Sequence, residues 1–378
     1  MLKPVKNIQI SLAIVYDPHS WPGRTGGSFY EAHYLVVVIT KIMMFFESSQ
    51  LLISSAGIAL LLCLLLTPIA RKTGLLDHPS ERKVHSNPVP LVGGAAIYLA
   101  MVIIITLATP YSIDAIPLLI GCGMMLVTGM IDDIRELSAF IRFVIQILAC
   151  CIMVFVSDVV LTDFGSLMWN GVLYLGFMSV PITIFAALGV INAFNMMDGI
   201  DGLSSMIFII AAAAMAWLAL LAGHAFNATI LIIAAGATLG FFLLNARLPW
   251  NKRARVFLGD SGSGFLGLLL AWQFIDLGNG ADRAFSPMTA VWLLGIPLLD
   301  TTLLMVRRKL QGGSPFAADQ HHLHHAFLRA GFSVKQTTRI LTVLVLITTT
   351  IGLAGQIFAW PEYLMFWSYI CLLYTSDA

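Results

Sequence analysis

Long apolar segments are the feature that most constrains how this chain can fold. A helix needs about 20 apolar residues to cross the hydrocarbon layer of a bilayer, and segments of this kind recur along the sequence. Of the 378 residues, 58% are hydrophobic and only 11% are charged, which lies well outside the usual composition of a soluble domain. We therefore predict an all-α fold, a polytopic integral membrane helical bundle with about eleven transmembrane helices.

The predicted spans follow one another through short connectors. They lie near residues 51–70, 91–109, 115–131, 140–160, 172–191, 203–221, 226–244, 263–281, 286–306 and 338–358, with a further one from residue 363. The sequence has no long soluble insertion, low-complexity tract or obvious repeat between them. We therefore predict that residues 51–378 form a single transmembrane domain.

Both ends of the chain depart from this pattern. Residues 1–50 contain one apolar stretch, Tyr34 to Phe46, which is short for a span and is interrupted by a lysine. We expect a misassigned start there, with the true first residue at Met43 or Met44. The last apolar run, Tyr363 to Tyr374, is also shorter than a crossing, so the natural chain is expected to continue further.

Lysine and arginine sort to one side of the predicted helices. After residue 50, alternate loops carry 16 of these residues, whereas the opposite loops carry only Arg283. Cations accumulate in short cytoplasmic loops, so the cation-rich face is predicted to be cytoplasmic. The net charge of +1 provides no global field that would attract nucleic acid, and no nucleic-acid partner is predicted.

Polar motifs occupy the same predicted face. Lys83 and His85 precede a Gly-Gly helix start, where backbone N–H groups favour an anion such as phosphate. An ordinary cytoplasmic loop rich in cations would have the same sequence features.

Asp132 and Asp133 end the third span. Adjacent helical side chains point roughly 100° apart, so this pair suits two separate tasks, such as accepting a proton and orienting a metal or phosphate. A solvated helix end is the alternative.

Two further acidic motifs follow along the chain. Between the fifth and sixth spans lie four polar residues; Asn192 and Asn195, like Asp198 and Asp201, are three apart and would share a face if helical. A glycine-rich turn after the seventh span carries Asp260, which could hold a magnesium ion that bridges phosphate oxygens.

A histidine tract lies in the last predicted cytoplasmic loop and includes His322, His324 and His325. A transition-metal site is one interpretation, and recognition of a diphosphate is the one we favour. Acids for a hard cation and cations for phosphates then lie on one face, as phosphoryl transfer requires. The soluble substrate would enter from the cytoplasm and a lipid substrate from the bilayer.

These motifs, in this order, resemble those of the polyprenyl-phosphate N-acetylhexosamine-1-phosphate transferases, in particular the bacterial WecA-like UDP-GlcNAc:undecaprenyl-phosphate GlcNAc-1-phosphate transferases. The resemblance covers roughly residues 51–375. It implies that the lipid phosphate of undecaprenyl phosphate attacks the sugar-linked phosphorus of UDP-GlcNAc and that UMP leaves, with Mg²⁺ or Mn²⁺ as cofactor. It also implies a multi-pass protein of the bacterial inner (plasma) membrane that begins a cell-surface polysaccharide such as O-antigen or enterobacterial common antigen.

The resemblance also implies roles for individual residues. Asp132 would be the base for the lipid phosphate, with Asp133 beside it, and Asn195 and Asp260 would hold the metal. The substrate-binding positions are Lys83, His85, Asn192, Asp198, Asp201, His322, His324 and His325. The sequence departs from the family at Gln320, where the family commonly has an arginine before the histidine motif.

Other classes of function predict different features of the sequence. The chain is more distantly similar to the phospho-MurNAc-pentapeptide transferases of peptidoglycan synthesis. A membrane transporter would place ionisable residues in mid-membrane, and only Asp300, near the middle of the 286–306 span, lies away from the motif loops. The predicted partners are a UDP-sugar, undecaprenyl phosphate and membrane lipid, and the chain could form a homodimer.

Overall fold

The computed structural model describes residues 27–78, 87–168, 171–312 and 322–375. In this part of the chain, helices are joined by short loops, and a two-stranded antiparallel sheet, β1 (Leu76–Asp77) with β2 (Val89–Pro90), precedes the second helix. The helices are α1 (Gly27–Thr73), α2 (Gly93–Ala108), α3 (Ile116–Ile134), α4 (Ala139–Val156), α5 (Ser179–Met196), α6 (Leu203–Ala222), α7 (Ala225–Asn245), α8 (Gly259–Leu277), α9 (Pro287–Leu293), α10 (Gly295–Leu310), α11 (Leu323–Arg329), α12 (Val334–Ile357) and α13 (Glu362–Thr375). A 3₁₀ turn, Gly176–Met178, leads into α5.

The structure confirms an all-α membrane protein. Among the described residues, seven helices are long and apolar enough to cross a membrane, or eight spans if α9 and α10, which meet at 86°, count as one. Each of the predicted spans coincides with a helix or with this bent pair. The other three predicted spans correspond to α2, α8 and α13, which are not among these candidate membrane spans. The total of about eleven therefore stays a prediction.

The first helix begins earlier than the sequence analysis expected. It runs for 47 residues from Gly27 to Thr73 and passes through residue 50, where the uncertain N-terminal segment was expected to end. Residues 28–56 contain neither glycine nor proline, so nothing in the chain interrupts the helical hydrogen bonding. The division at residue 50 therefore has no counterpart in secondary structure, and as a domain boundary it stays a prediction.

Two central helices, α7 and α8, are buried by the others. The glycines of α7 lie against α1, and a side chain at Gly240 would collide with the backbone of Ala56. The first turn of α8 fits between α2 and α3 because Gly94 and Gly129 leave no side chain in its path. This packing gathers the ends of α3, α5 and α7 with the beginnings of α6, α8 and α12.

Candidate active site

A cleft of about 480 Å³ opens where these helix ends meet. Among its described lining residues, seven are acidic: Asp77, Asp132, Asp133, Glu136, Asp198, Asp201 and Asp260. Of the same lining residues, Arg247 is the one arginine or lysine, and its Nε pairs with Asp201 at 2.7 Å. The described walls of the cleft are therefore strongly acidic, and they favour the binding of cations.

The two acids at the end of α3 face different partners. Asp132 is buried, and its carboxylate accepts hydrogen bonds from Arg142 Nη1 at 2.9 Å and from the Leu137 N–H at 2.7 Å. Asp133 instead accepts the N–H of Asp260 at 2.9 Å and the N–H of Ser261 at 3.3 Å. Asp132 is thus fixed against α4, whereas Asp133 binds the otherwise unpaired amides in the first turn of α8.

Asp260 owes its position to the glycine before it. Gly259 has a φ of +76°, which favours glycine, and a side chain there would meet the Asp133 carboxylate. Asp133 can therefore hold the amide of Asp260 while the Asp260 side chain remains exposed to the cleft.

The predicted metal residues come together across two helices. Asn195, at the end of α5, lies beside the Asp260 carboxylate, and its Oδ1 accepts the hydroxyl of Ser263. In the described part of the chain, no three His, Cys, Asp or Glu side chains form a ready metal cluster. An amide oxygen with one carboxylate does suit Mg²⁺, which usually keeps waters and takes further oxygens from substrate phosphates.

Asn192 contacts α4 and does not line the cleft. Its Nδ2 donates to Gln146 Oε1 on α4 at 3.2 Å and to the Leu188 carbonyl at 2.8 Å, and it is absent from the described lining of the cleft. Gln146 lines a smaller recess beside the cleft, together with Arg142, Asn195 and Asp260. Asn192 therefore orients a side chain of this recess, and its role in substrate binding stays a prediction.

The loop between α5 and α6 supplies two more acids. Asp198 accepts the Ser204 hydroxyl at 2.6 Å. Burial, together with the negative charges of Asp260 and Asp133, raises the pKa of Asp198 to about 7, although the Ser204 hydrogen bond opposes this rise. The mutual repulsion of these carboxylates would be relieved by a bound cation.

Asn245 was missed by the sequence analysis. Its Oδ1 accepts the Gly202 N–H at 2.8 Å and its Nδ2 donates to the Val256 carbonyl at 3.0 Å. This one buried side chain therefore joins the α5–α6 loop to the segment that precedes α8. A single amide at a helix end carries no signal in the sequence that would have revealed this bridging.

The histidine motif lies against the same loop. His324 is buried, its Nε2 contacts Gly199, and neither of its ring nitrogens has a hydrogen-bond partner among the described residues. Burial is the main reason that the pKa of His324 falls to about 4, so this ring is neutral at pH 7. His325 lines the cleft directly.

His322 is held by an acid from a different helix. Its Nδ1 lies 2.8 Å from Asp300 Oδ2, and Asp300 Oδ1 accepts the Leu323 N–H at 2.8 Å. Asp300 was expected in mid-membrane, away from the motif loops, and this expectation is wrong. The break between α9 and α10 at Leu294 places Asp300 near the beginning of α10, within reach of the histidines.

Two predictions concern the loop before α2. Lys83 and His85 lie outside the described residues, so their role stays a prediction. The expected anion site at the Gly-Gly helix start is wrong, because the N–H groups of Gly93 and Gly94 donate to the carbonyls of Phe257 and Leu258 at 2.9 and 3.1 Å. Amides bonded in this way do not face a ligand.

Comparison with known proteins agrees with the geometry of this site. The model of the family described as "Glycosyl transferase family 4" matches residues 115–278. An "undecaprenyl-phosphate alpha-N-acetylglucosaminyl 1-phosphate transferase" from Salmonella typhi is 32% identical over 81% of this chain and 83% of its own length. Proteins of the same name from Yersinia pestis and Pasteurella multocida are each 34% identical to this chain. The aligned regions cover 79% and 84% of this chain and 81% and 88% of the two relatives, respectively.

The matched region runs from α3 to α8 and so contains the acid pair, the α5–α6 loop and Asp260. The relatives extend the similarity over about four-fifths of the chain. This chain therefore belongs to glycosyl transferase family 4.

Proposed function

We propose that this protein transfers GlcNAc-1-phosphate from UDP-GlcNAc to undecaprenyl phosphate and releases UMP, as the first step of a cell-surface polysaccharide pathway. The observation that carries the proposal is the acidic cleft at helix ends, most of whose lining residues fall within the family-matched region. Its volume of about 480 Å³ falls within the range of small-molecule sites. The names of the relatives supply the sugar and the lipid.

A divalent cation, Mg²⁺ or Mn²⁺, is part of this proposal. The sugar nucleotide and the lipid phosphate are both anionic, whereas the charged residues in the described lining of the cleft are mainly acids and its Arg247 is already paired. Asn195 and Asp260 would hold the ion, since their side chains lie next to each other. When bound, the ion neutralises charge on the phosphate oxygens of the substrates.

The acid pair would divide the remaining work. The Arg142 guanidinium fixes the orientation of the Asp132 carboxylate through a hydrogen bond of 2.9 Å. Asp132 would then accept the proton of the lipid phosphate. Asp133 would position Asp260 by binding the amides at the start of α8.

The remaining site residues would bind the sugar nucleotide. Asp198 and Asp201 line the cleft on the α5–α6 loop, and His325 lines it on α11. Because His324 is neutral, it would act through hydrogen bonds and packing, and it would not supply a positive charge to the diphosphate.

We further propose that the cleft faces the cytoplasm of a bacterial inner membrane. Arg283 follows the far end of α8, whereas Asp260 begins it, so the two residues are separated by a helix of 19 residues, about 28 Å long. Arg142 and Arg247, which belong to the cation-rich loops, bond to acids of the site at the Asp260 end, and cations favour cytoplasmic loops. A homodimer stays a prediction.

The test is an assay with purified protein and undecaprenyl phosphate that follows UMP release and lipid product together. UDP-GlcNAc, UDP-GalNAc and UDP-MurNAc-pentapeptide are supplied in parallel. We expect turnover with UDP-GlcNAc. Turnover with UDP-MurNAc-pentapeptide alone would assign the chain to the peptidoglycan reaction, and no UMP release with any donor would refute the proposal.

A further inference from the structure

Asp300 is a buried acid that the proposed chemistry leaves unexplained. Its residue surface is 4% exposed, and burying a carboxylate is unfavourable unless hydrogen bonds or a counter-charge compensate for the lost water. Its two oxygens have different partners, Nδ1 of His322 and the N–H of Leu323, each at 2.8 Å. A neutral side chain could bind the Leu323 amide alone, so the ring of His322 is the partner that calls for a carboxylate.

A chain of contacts connects Asp300 with the cleft. The next residue of α10, Thr301, contacts Met196 at the end of α5, one residue after Asn195. The His322 ring is stacked on that of His324, with the ring planes 4° apart and the centroids 5.9 Å apart. His324 in turn packs on Gly199 in the α5–α6 loop. A shift of His322 would therefore be transmitted to the loop that carries Asp198 and Asp201.

We propose that Asp300 is a positioning residue for sugar-nucleotide binding, which it serves by fixing the ring of His322 and the start of α11. This inference rests on the function proposed above. An ionised carboxylate only accepts hydrogen bonds, so Asp300 requires the proton of His322 to be on Nδ1. The ring is thereby held in one orientation and one tautomer, as in other sites where a carboxylate orients a functional histidine.

The decisive variant is Asp300→Asn. Its oxygen can still accept the Leu323 N–H, while its NH₂ group faces His322 and forces the ring to change tautomer or turn. We expect a loss of about tenfold or more in UDP-GlcNAc affinity, the size expected when one hydrogen bond to a charged group is removed. The KM for undecaprenyl phosphate should change less than twofold, because no described hydrogen bond joins Asp300 to Asp132, the proposed base for the lipid phosphate, or to its partner Arg142.

Asp276→Asn is the matched control. Asp276 is also a partly buried helix carboxylate with an amide partner, Asn227, at 2.6 Å, but it lies at the far end of α8 from the cleft. This variant should retain wild-type affinity for UDP-GlcNAc. An equal loss in both variants would show that removing any such carboxylate loosens the protein, and would overturn the inference.

A double variant tests whether Asp300 acts through His322. If it does, Asp300→Asn should add less than a twofold further loss in a His322→Ala background, because the two changes disrupt one interaction. Fully multiplicative losses would overturn the inference, as would unchanged affinity in Asp300→Asn alone. Affinity is measured by calorimetry with UDP-GlcNAc, separately from turnover. Wild-type protein that binds UDP-GlcNAc without transfer would refute the proposed function alone, and wild-type protein that does not bind it would refute both.

Discussion

Asp133 gives the clearest link between packing and chemistry in this protein. Its carboxylate accepts two backbone N–H groups, from Asp260 and Ser261, and so fixes the turn that carries the proposed metal ligand. In Asp133→Asn only one oxygen remains as an acceptor, and the NH₂ group faces the other amide. A hydrogen bond to a charged group contributes about 1.5–3 kcal/mol. Its loss corresponds to roughly a 10- to 150-fold lower occupancy of the correct Asp260 position.

We therefore expect Asp133→Asn to weaken the apparent Mg²⁺ affinity at least tenfold, with partial recovery of activity at high Mg²⁺. Glu136→Gln is the control, since Glu136 is an exposed acid that lines the same cleft, and its side chain has no described bond to α8. The assay is UMP release as a function of Mg²⁺ concentration. If both variants shift the Mg²⁺ dependence equally, charge alone is responsible and the positional argument is refuted.

Three further predictions follow from the site and the charge pattern. Asp260→Asn should abolish most activity, as EDTA should in the wild type, because an amide does not replace a carboxylate that binds the ion; full activity of the variant would remove Asp260 from the site. Reporters fused after Arg253 and Lys309 should be cytoplasmic and one near Arg283 periplasmic, and the reverse pattern would contradict the proposed orientation. The pKa of His324 is about 4 in the folded protein, below its value of about 6.5 when unfolded. This residue's contribution to the free energy of unfolding is therefore complete above pH 6.5 and falls by about 2 kcal/mol at pH 5. The unfolding temperature of His324→Gln should therefore fall less than that of the wild type as the pH is lowered. An equal fall in both proteins would count against a buried neutral ring.

The positions of most helices could be predicted from the sequence because hydropathy is a local property. A run of about 20 apolar residues needs no knowledge of its neighbours to be recognised as a span. The meeting of Asn195 with Asp260 was also predictable, since both residues end or begin helices on the same predicted face. Their hydrogen-bond partners were not, because these depend on which helices pack side by side.

Two examples illustrate this dependence. Asn192 and Asn195 were expected to share a face, and residues three apart still differ by about 60° in direction and 4.5 Å along the axis. That difference is enough for Asn192 to contact Gln146 on α4 while Asn195 contacts Ser263 on α8. At the start of α2, the amides of a Gly-Gly pair suggested an anion site, yet the segment that precedes α8, more than 160 residues later, already occupies them.

The bend between α9 and α10 left a signal that hydropathy averaging conceals. The predicted 286–306 span treats this region as one continuous helix, because an average over apolar residues is unchanged by a break. Pro297 has no N–H to donate to the carbonyl of Leu293, the last residue of α9, so the helical hydrogen bonding cannot continue across the break. Helices commonly begin just before a proline, so the chain restarts as α10. Asp300 then follows Pro297 by three residues, and an acid that looks like the middle of a span becomes part of the first turns of a new helix, where it can reach His322.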